Sequence, residues 1–391
     1  MIRIDVLTTT RAEYGLMRPL LRRLRDDSEI DMHMLVTGTH LDARYGLTYR
    51  EIEADGFSID QKIEILSEQE GTMFVSETMA NALSRFTRYF LAEHPDFLLV
   101  DGDRYETMAI CIAAFNTQVP IIHIGGGETT EGAADEFYRH AITKMAYLHF
   151  PITDLYRKRV IQMGESPDRV FTAGSLGIEN LLSMPLMSKN ELEASLHFRL
   201  DAPYALITFH PVTLERMTHM EQLEALLSAC DAMRDMKFLI TLSNADVGGA
   251  EINRRLEEYA ATNPDRVFCT ASLGSLKYLS AMKHCAFVMG NSSSGVIETP
   301  SFGIPTINIG DRQKGRIKAE SVIDCEPLKE SILQAIQKAR SPEFRSACAE
   351  VVNPNGDGNS SVKIVSIVKD YCKRQKVNLK KRFYDIDFAV R

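Results

Sequence analysis

Short apolar runs alternate with longer stretches of helical periodicity along almost the whole chain. Ile2–Leu7, Met32–Thr37, Phe97–Val100, Pro120–Ile124 and His149–Ile152 read as a first series of buried strands. Val170–Thr172, Tyr204–Phe209, Lys237–Thr241, Arg266–Phe268, Ala286–Met289 and Thr306–Ile309 read as a second. Between them, Glu13–Arg25, Thr72–Glu93, Tyr105–Asn116, Glu215–Arg234 and Ala250–Ala261 carry apolar residues at helical spacing. Alternating β and α elements predict parallel sheets covered by helices on both faces. Two such series predict an α/β chain of two Rossmann-like, doubly wound domains. The small residues Ala173-Gly174-Ser175-Leu176-Gly177 mark the junction, with an N-terminal domain over 1–174 and a C-terminal one over 175–364. Ser360–Gln375 reads as an amphipathic helix, and the tail from about 365 to 391 is placed to pack back on the first domain. Met73, Val75, Met79, Leu83, Phe86 and Phe90 share one helical face, which means core in most proteins and also suits a homodimer.

A chain of 391 residues is too long for one hydrophobic core, which supports two domains. The net charge of −8 argues against nucleic acid or an anionic membrane as the main partner. It leaves room for a small anion at a local basic site. Seven cysteines without a C-x-x-C pair fit reduced thiols and a cytoplasmic location. No apolar run approaches the roughly 20 residues needed to span a bilayer, and the N-terminus opens in a strand rather than a signal peptide. No H-E-x-x-H or similar spacing suggests a metal.

Ligands of open α/β sheets bind beyond the carboxyl ends of the strands. Those ends are unusually polar here. Gly290-Asn291-Ser292-Ser293-Ser294-Gly295 follows an apolar strand and precedes Val296–Phe302, a short helix by its pattern. A small-residue turn there exposes backbone N–H groups at a helix start, which suits a diphosphate. The alternative is an ordinary capped turn. Glu298 is placed to accept bonds from ribose hydroxyls. In the first half Asp103, Glu128, Glu131, Asp135 and Glu136 gather carboxylates, and crowding pushes their pKa values apart into an acid and a base. Asp135 and Glu136 also sit where acidic residues stabilise a helix start, and Glu136 fits that role better. Arg11 and Arg104 lie at strand ends and can clamp phosphate, or simply be surface arginines. His210, directly after an apolar strand, reads as a ligand contact; His123, after two isoleucines, can be a satisfied core histidine.

Taken in order, several segments resemble the hydrolysing UDP-N-acetylglucosamine 2-epimerases of bacterial sialic acid synthesis. They are Arg11-Ala12-Glu13-Tyr14, Gly102-Asp103-Arg104, His123 with Gly126-Gly127-Glu128, Asp135-Glu136 with Arg139–Lys144, His210-Pro211, Ser243–Asp246, Gly290–Gly295 and Gly310–Arg316. The resemblance implies a glycosyltransferase-B-like fold with an active site in the interdomain cleft. It implies conversion of UDP-GlcNAc and water to N-acetylmannosamine and UDP through a 2-acetamidoglucal. It implies no redox cofactor, in keeping with the lack of a G-x-G-x-x-G fingerprint in either first βα turn, and a homodimer or homotetramer. Carried over by position, Arg11, His210, Asn244, Ser292, Ser293, Gly295, Glu298 and Arg312 would hold UDP, with backbone near Leu273 at the uracil and Arg104 near the phosphates. Asp103 and Asp135 match catalytic acids and His123 a functional histidine. Many relatives carry glutamate where this chain has Gly125, so Glu128 or Glu131 is expected to take over that carboxylate's role. Glu128-Thr129-Thr130-Glu131-Gly132 is also similar to relatives that act on a nucleotide-linked 2,4-diacetamido-2,4,6-trideoxyglucose in legionaminic acid pathways, and it fits the sialic acid enzymes as well, so with Gly125 the resemblance leaves both substrates open. A non-hydrolysing 2-epimerase, a glycosyltransferase and a non-catalytic nucleotide-sugar binder are the alternatives.

Overall fold

The computed structural model describes residues 1–69, 71–129, 134–211, 217–243, 249–374 and 377–387. The chain forms two compact units, Met1–Asn180 with Gly358–Arg391, and Leu181–Asp357.

The first unit holds β1 (Ile2–Thr8), β2 (Ile30–Thr37), β3 (Gln61–Ile63), β4 (Phe97–Asp101), β5 (Ile121–Ile124) and β6 (Leu148–Phe150). They pair in parallel in the order β3-β2-β1-β4-β5-β6. Side chains alternate across the sheet as the strand period requires. Phe97 and Leu99 pack into one core with Ile4 and Val6, while Leu98 and Val100 pack into another with Phe86 and Phe90. The apolar face read on the helix Gly71–Glu93 is therefore core at Phe86 and Phe90, whereas Met73 near its start is exposed. The order in which strands are added reverses between β1 and β4, and this switch point is where open sheets bind ligands.

The second unit repeats the plan. Its strands are β7 (Tyr204–Thr208), β8 (Lys237–Thr241), β9 (Val267–Thr270), β10 (Phe287–Gly290), β11 (Thr306–Ile309) and β12 (Val322–Cys325). They pair in parallel in the order β12-β11-β10-β7-β8-β9, with the switch point between β7 and β10. Ala205 and Ile207 face one core, Tyr204 and Leu206 the other.

Three differences from the sequence expectation have physical causes. Val170–Thr172 is not a strand of the second series. Val170 makes one isolated bridge to His149, and Phe171 and Ala173 donate their N–H groups to His149 and Pro151, so the segment only skirts β6. The edge strands β3 and β12 escaped notice because they are short and partly polar, as strands buried on one side or less can be. The helix expected over Val296–Phe302 is Ser293–Ile297, followed by a 3-10 turn at Thr299–Phe302.

The tail helix Ser360–Arg374 lies in the first unit. Ile364, Val365, Val368 and Tyr371 join Leu20, Leu21 and Leu24 of the helix Arg11–Arg25 in one core. Its start is fixed by Glu179, whose carboxylate accepts from the Ser361 N–H at 2.6 Å and from the Ser361 hydroxyl. Lys369 pairs with Asp27 at 2.8 Å. Among the described residues no helix is long and apolar enough to cross a membrane.

Ile364→Ala removes a fully buried side chain and should lower stability by about 2–5 kcal/mol, whereas Val362→Ala on the exposed face should cost less than about 0.5 kcal/mol. Urea unfolding of the two variants measures the difference.

Candidate active site

The carboxyl end of β1 is built by a helix cap. Thr10 caps the helix Arg11–Arg25, and Glu13 folds back to accept from the N–H groups of Thr9 at 2.8 Å and Thr10 at 3.2 Å. Burial pushes the Glu13 carboxyl up to about 7; the bonds from Thr9 oppose that shift and the charge of Glu106 adds to it. Beside it, His40 is buried between the hydroxyls of Thr8 at 3.0 Å and Thr48 at 2.8 Å. Burial lowers its pKa to about 4, so it is neutral at pH 7.

At the end of β4 the chain passes from Asp101 through the Gly102 turn to Asp103 and Arg104. Asp103 is ion-paired with Arg139, a residue almost fully buried on the helix Asp135–Met145. Arg139 also donates to the Glu128 carbonyl at 3.1 Å and to the Glu136 carboxylate at 3.1 Å. Arg104 binds Glu106 at 2.6 Å, and Glu106 has no exposure to solvent. At the end of β5, His123 donates from Nε2 to the Gly102 carbonyl at 2.9 Å, and its Nδ1 lies 3.2 Å from the Thr143 hydroxyl. Burial drops His123 to about 3. A neutral ring with both nitrogens engaged by the protein ties the ends of β4 and β5 together.

Gly125 adopts φ +81, a conformation that L side chains rarely take. The point where its Cβ would stand is 3.7 Å from Asp101 Oδ1 and 3.9 Å from Glu128 Oε1. Asp101 is pushed up to about 8, first by burial and then by the charges of Glu13, Glu128 and Asp103. These acids share one neighbourhood at the switch point of the first sheet.

Of the residues singled out by sequence, the structure gathers Asp103, Glu128, His123 and Arg104 here. Asp135 stands exposed at the head of the helix that carries Arg139. Glu136 pairs with Arg139 and with His140 at 3.0 Å, as a residue steadying the helix start does. Arg11 is exposed and paired with Glu51 at 3.0 Å. Glu131 lies outside the described residues. Asp101, Glu13 and Arg139 had been given no role of their own. Asp101 ends an apolar strand, and Arg139 follows Asp135 by one helical turn; those positions were the available signals.

The second unit joins β7 and β10 through one side chain. Asn291, fully buried, accepts from the His210 N–H at 2.7 Å and donates to the His210 carbonyl at 2.8 Å. Its own carbonyl receives Arg312 at 3.1 Å and Gln313 at 2.9 Å. Gly290 must be glycine: its φ is +137, and a Cβ would come within 2.0 Å of the Thr208 carbonyl. The turn then offers partly exposed Ser292 and Ser293 and the N–H groups of a helix's first turn, which have no intrahelical partner. Five helical residues make a weak dipole, so N–H donors and Arg312 outweigh it for an anion. Gly295 packs under the turn against Thr306. His210 places Nδ1 3.1 Å from the Ser243 hydroxyl. Glu298 is half-buried, accepts from Ser294 and has its pKa raised by burial. Leu273 is buried at the start of the helix Gly274–His284. Asn244 lies outside the described residues.

Two six-stranded parallel sheets, each with its polar groups at the carboxyl ends beside a switch point, make this a glycosyltransferase-B-like α/β protein. Residues 22–369 match the family described as UDP-N-acetylglucosamine 2-epimerase, and the chain belongs to that family. It is 40% identical over 387 residues to polysialic acid biosynthesis protein P7 of Escherichia coli, covering 99% of this chain and 98% of that one. It is 38% identical over 343 residues to a GDP/UDP-N,N'-diacetylbacillosamine 2-epimerase (hydrolyzing) of Campylobacter jejuni, covering 88% of each. Among solved structures, the UDP-GlcNAc 2-epimerase of Neisseria meningitidis bound to UDP-GlcNAc shares the fold with a TM-score of 0.79 at 20% identity, over 95% of this chain and all of that one.

Asn291→Ala should destabilise by about 1–3 kcal/mol for each His210 backbone group it strands, read by denaturant unfolding. Asp101 makes the fold sensitive to pH in a definite direction. Its folded pKa of about 8 exceeds the reference 3.8, so the folded chain keeps a proton the unfolded chain has lost, and stability falls as pH rises through that window. Asp101→Asn should flatten that fall, as melting temperatures from pH 4 to 9 would reveal.

Proposed function

We propose that this chain is a hydrolysing 2-epimerase that converts UDP-GlcNAc and water to N-acetylmannosamine and UDP, the opening step of sialic acid synthesis. The observation that carries this reading is the set of crowded acids at the ends of β4 and β5 in a chain of the 2-epimerase family. Inverting C2 requires a group to remove a proton there and a group to return one on the opposite face. Carboxyls whose affinities for protons are pushed apart supply both. Asp103, oriented by Arg139, takes the C2 proton as the C1–O bond to UDP breaks and the 2-acetamidoglucal forms. Water then adds at C1 and a proton returns to C2. Glu128, beside the space a residue-125 side chain would occupy, stands in for the glutamate missing there. Asp135 is assigned to the same sugar, and His123 holds the Gly102 turn that aims Asp101 and Asp103.

UDP binding is assigned to the strand ends of the second unit. Ser292, Ser293 and Gly295 offer donors to the diphosphate with Arg312, and His210 lies beside them. Glu298 takes the ribose hydroxyls, and backbone at Leu273 the uracil. Arg11 and Arg104 of the first unit are assigned to phosphate oxygens. The E. coli polysialic acid relative supports the sialic acid pathway. A second reading, UDP-N,N'-diacetylbacillosamine as substrate, is favoured by the Campylobacter relative and by Gly125. A homodimer or homotetramer belongs to either reading and is measured by light scattering.

Incubation with each UDP-sugar in deuterated water, followed by NMR, tests the proposal. Free N-acetylmannosamine deuterated at C2 is expected from UDP-GlcNAc. A product still linked to UDP would make the enzyme non-hydrolysing, and no reaction with either sugar would overturn the proposal. Asp103→Asn should lower kcat by about 100- to 10,000-fold while UDP binding by calorimetry is retained.

A further inference from the structure

On the hydrolysing reading above, we propose that Asp101 and Glu128 form a proton-sharing carboxyl pair across the space left open by Gly125, and that this pair drives the hydration half of the reaction. An atom at the missing Cβ position would be 3.7 Å from Asp101 Oδ1 and 3.9 Å from Glu128 Oε1, so a group entering that space meets both acids together. Three arginines lie around these loops, and Arg159 donates to the Gly127 carbonyl at 3.3 Å and to the Thr129 hydroxyl at 3.4 Å. Arg139 serves Asp103, Glu136 and the Glu128 carbonyl, and Arg104 serves Glu106. Asp101 also faces Glu13 from the helix Arg11–Arg25 and Asp103 from its own loop. Carboxylates so placed cannot all ionise, and the cheapest relief is to keep a proton. Asp101 keeps it, with its pKa pushed up to about 8.

That proton has a use. Hydration of a 2-acetamidoglucal adds hydrogen at C2 and hydroxyl at C1. Asp101 gives its proton to C2, and the electrons of the C1–C2 double bond form the new C–H bond. A water oxygen bonds to the electron-poor C1, and the water's proton goes to Glu128. The pair began with one proton on Asp101 and ends with one on Glu128, and transfer across the gap resets it. Asp103 is left to the elimination step. The division explains why one chain needs several acids at one place: one to take a proton and a pair to return one.

The test separates the two half-reactions. Asp101→Asn is given UDP-GlcNAc and, separately, synthetic 2-acetamidoglucal, with products followed by NMR. UDP release should stay within about threefold of the unaltered chain, while hydration of supplied glucal falls about 100-fold or more and glucal accumulates. Glu128→Gln should show the same split, and the double variant should lose no more than the worse single one, because the two act as a unit. Hydration by the unaltered chain should decline above about pH 8, as Asp101 loses its proton, and that limb should be missing in Asp101→Asn. Glucal hydration at the normal rate in both single variants, or equal loss of UDP release and hydration, overturns the pair. If the unaltered chain releases no UDP from UDP-GlcNAc or UDP-N,N'-diacetylbacillosamine, the hydrolysing reading itself falls. Normal turnover by the unaltered chain alongside a normal Asp101→Asn sinks only the pair.

Discussion

Like charges gathered away from water can lower their energy by binding a cation or by keeping a proton. The first unit uses both routes within one switch point. Asp103 and Glu106 take the cations, Arg139 and Arg104. Asp101 is pushed up to about 8 by burial and the charges of Glu13, Glu128 and Asp103, and Glu13 to about 7 by burial against the opposing bonds from Thr9. Acids in different protonation states, held at one sheet end, are the requirement for moving a proton off a carbon and another back on. The neutral histidines complete the arrangement by adding no charge. His123 ties Gly102 to β5, and His40 ties the end of β1 to Thr48.

The second unit solves a different problem with the same topology. On the proposed reading it holds an anion, for which the turn after β10 offers donors with few formal charges. Asn291 spends its side chain on the His210 backbone and its carbonyl on Arg312 and Gln313, so the segments after β7, β10 and β11 are held by one buried residue. Gly290 lets the chain pass against the Thr208 carbonyl where no side chain fits. The rigidity of the donors comes from this cross-linking more than from a helix dipole, since the helix is only five residues long.

Most strands were legible because β4, β7, β8 and β10 are largely apolar runs, the signature of strands covered on both faces, while β1, β2 and β11 carry apolar residues at alternate positions. β3 and β12 were not, because an edge strand has less to bury and its sequence carries less signal. Val170–Thr172 had the right composition yet no partner beyond His149, a fact about neighbours rather than residues. That Asp103, Arg104, Glu128 and His210 lie in the loops at strand ends was legible because polar residues following an apolar run stand out. Asp101 was passed over because in the sequence it is one more polar residue after Phe97–Val100, and only its burial among other carboxylates sets it apart.

The sequence alone determined the two doubly wound units and the polar strand ends, since period and polarity are local properties of the chain. The bare glycine at 125 was visible there too, as an absence. Only the tertiary structure decided what that absence means, because distances between β4, β5 and the helix Arg11–Arg25 depend on how the sheet is ordered. Proton affinity is likewise a property of surroundings: Asp101 is pushed up to about 8 by burial and by the carboxylates packed around it, which its place in the sequence does not disclose.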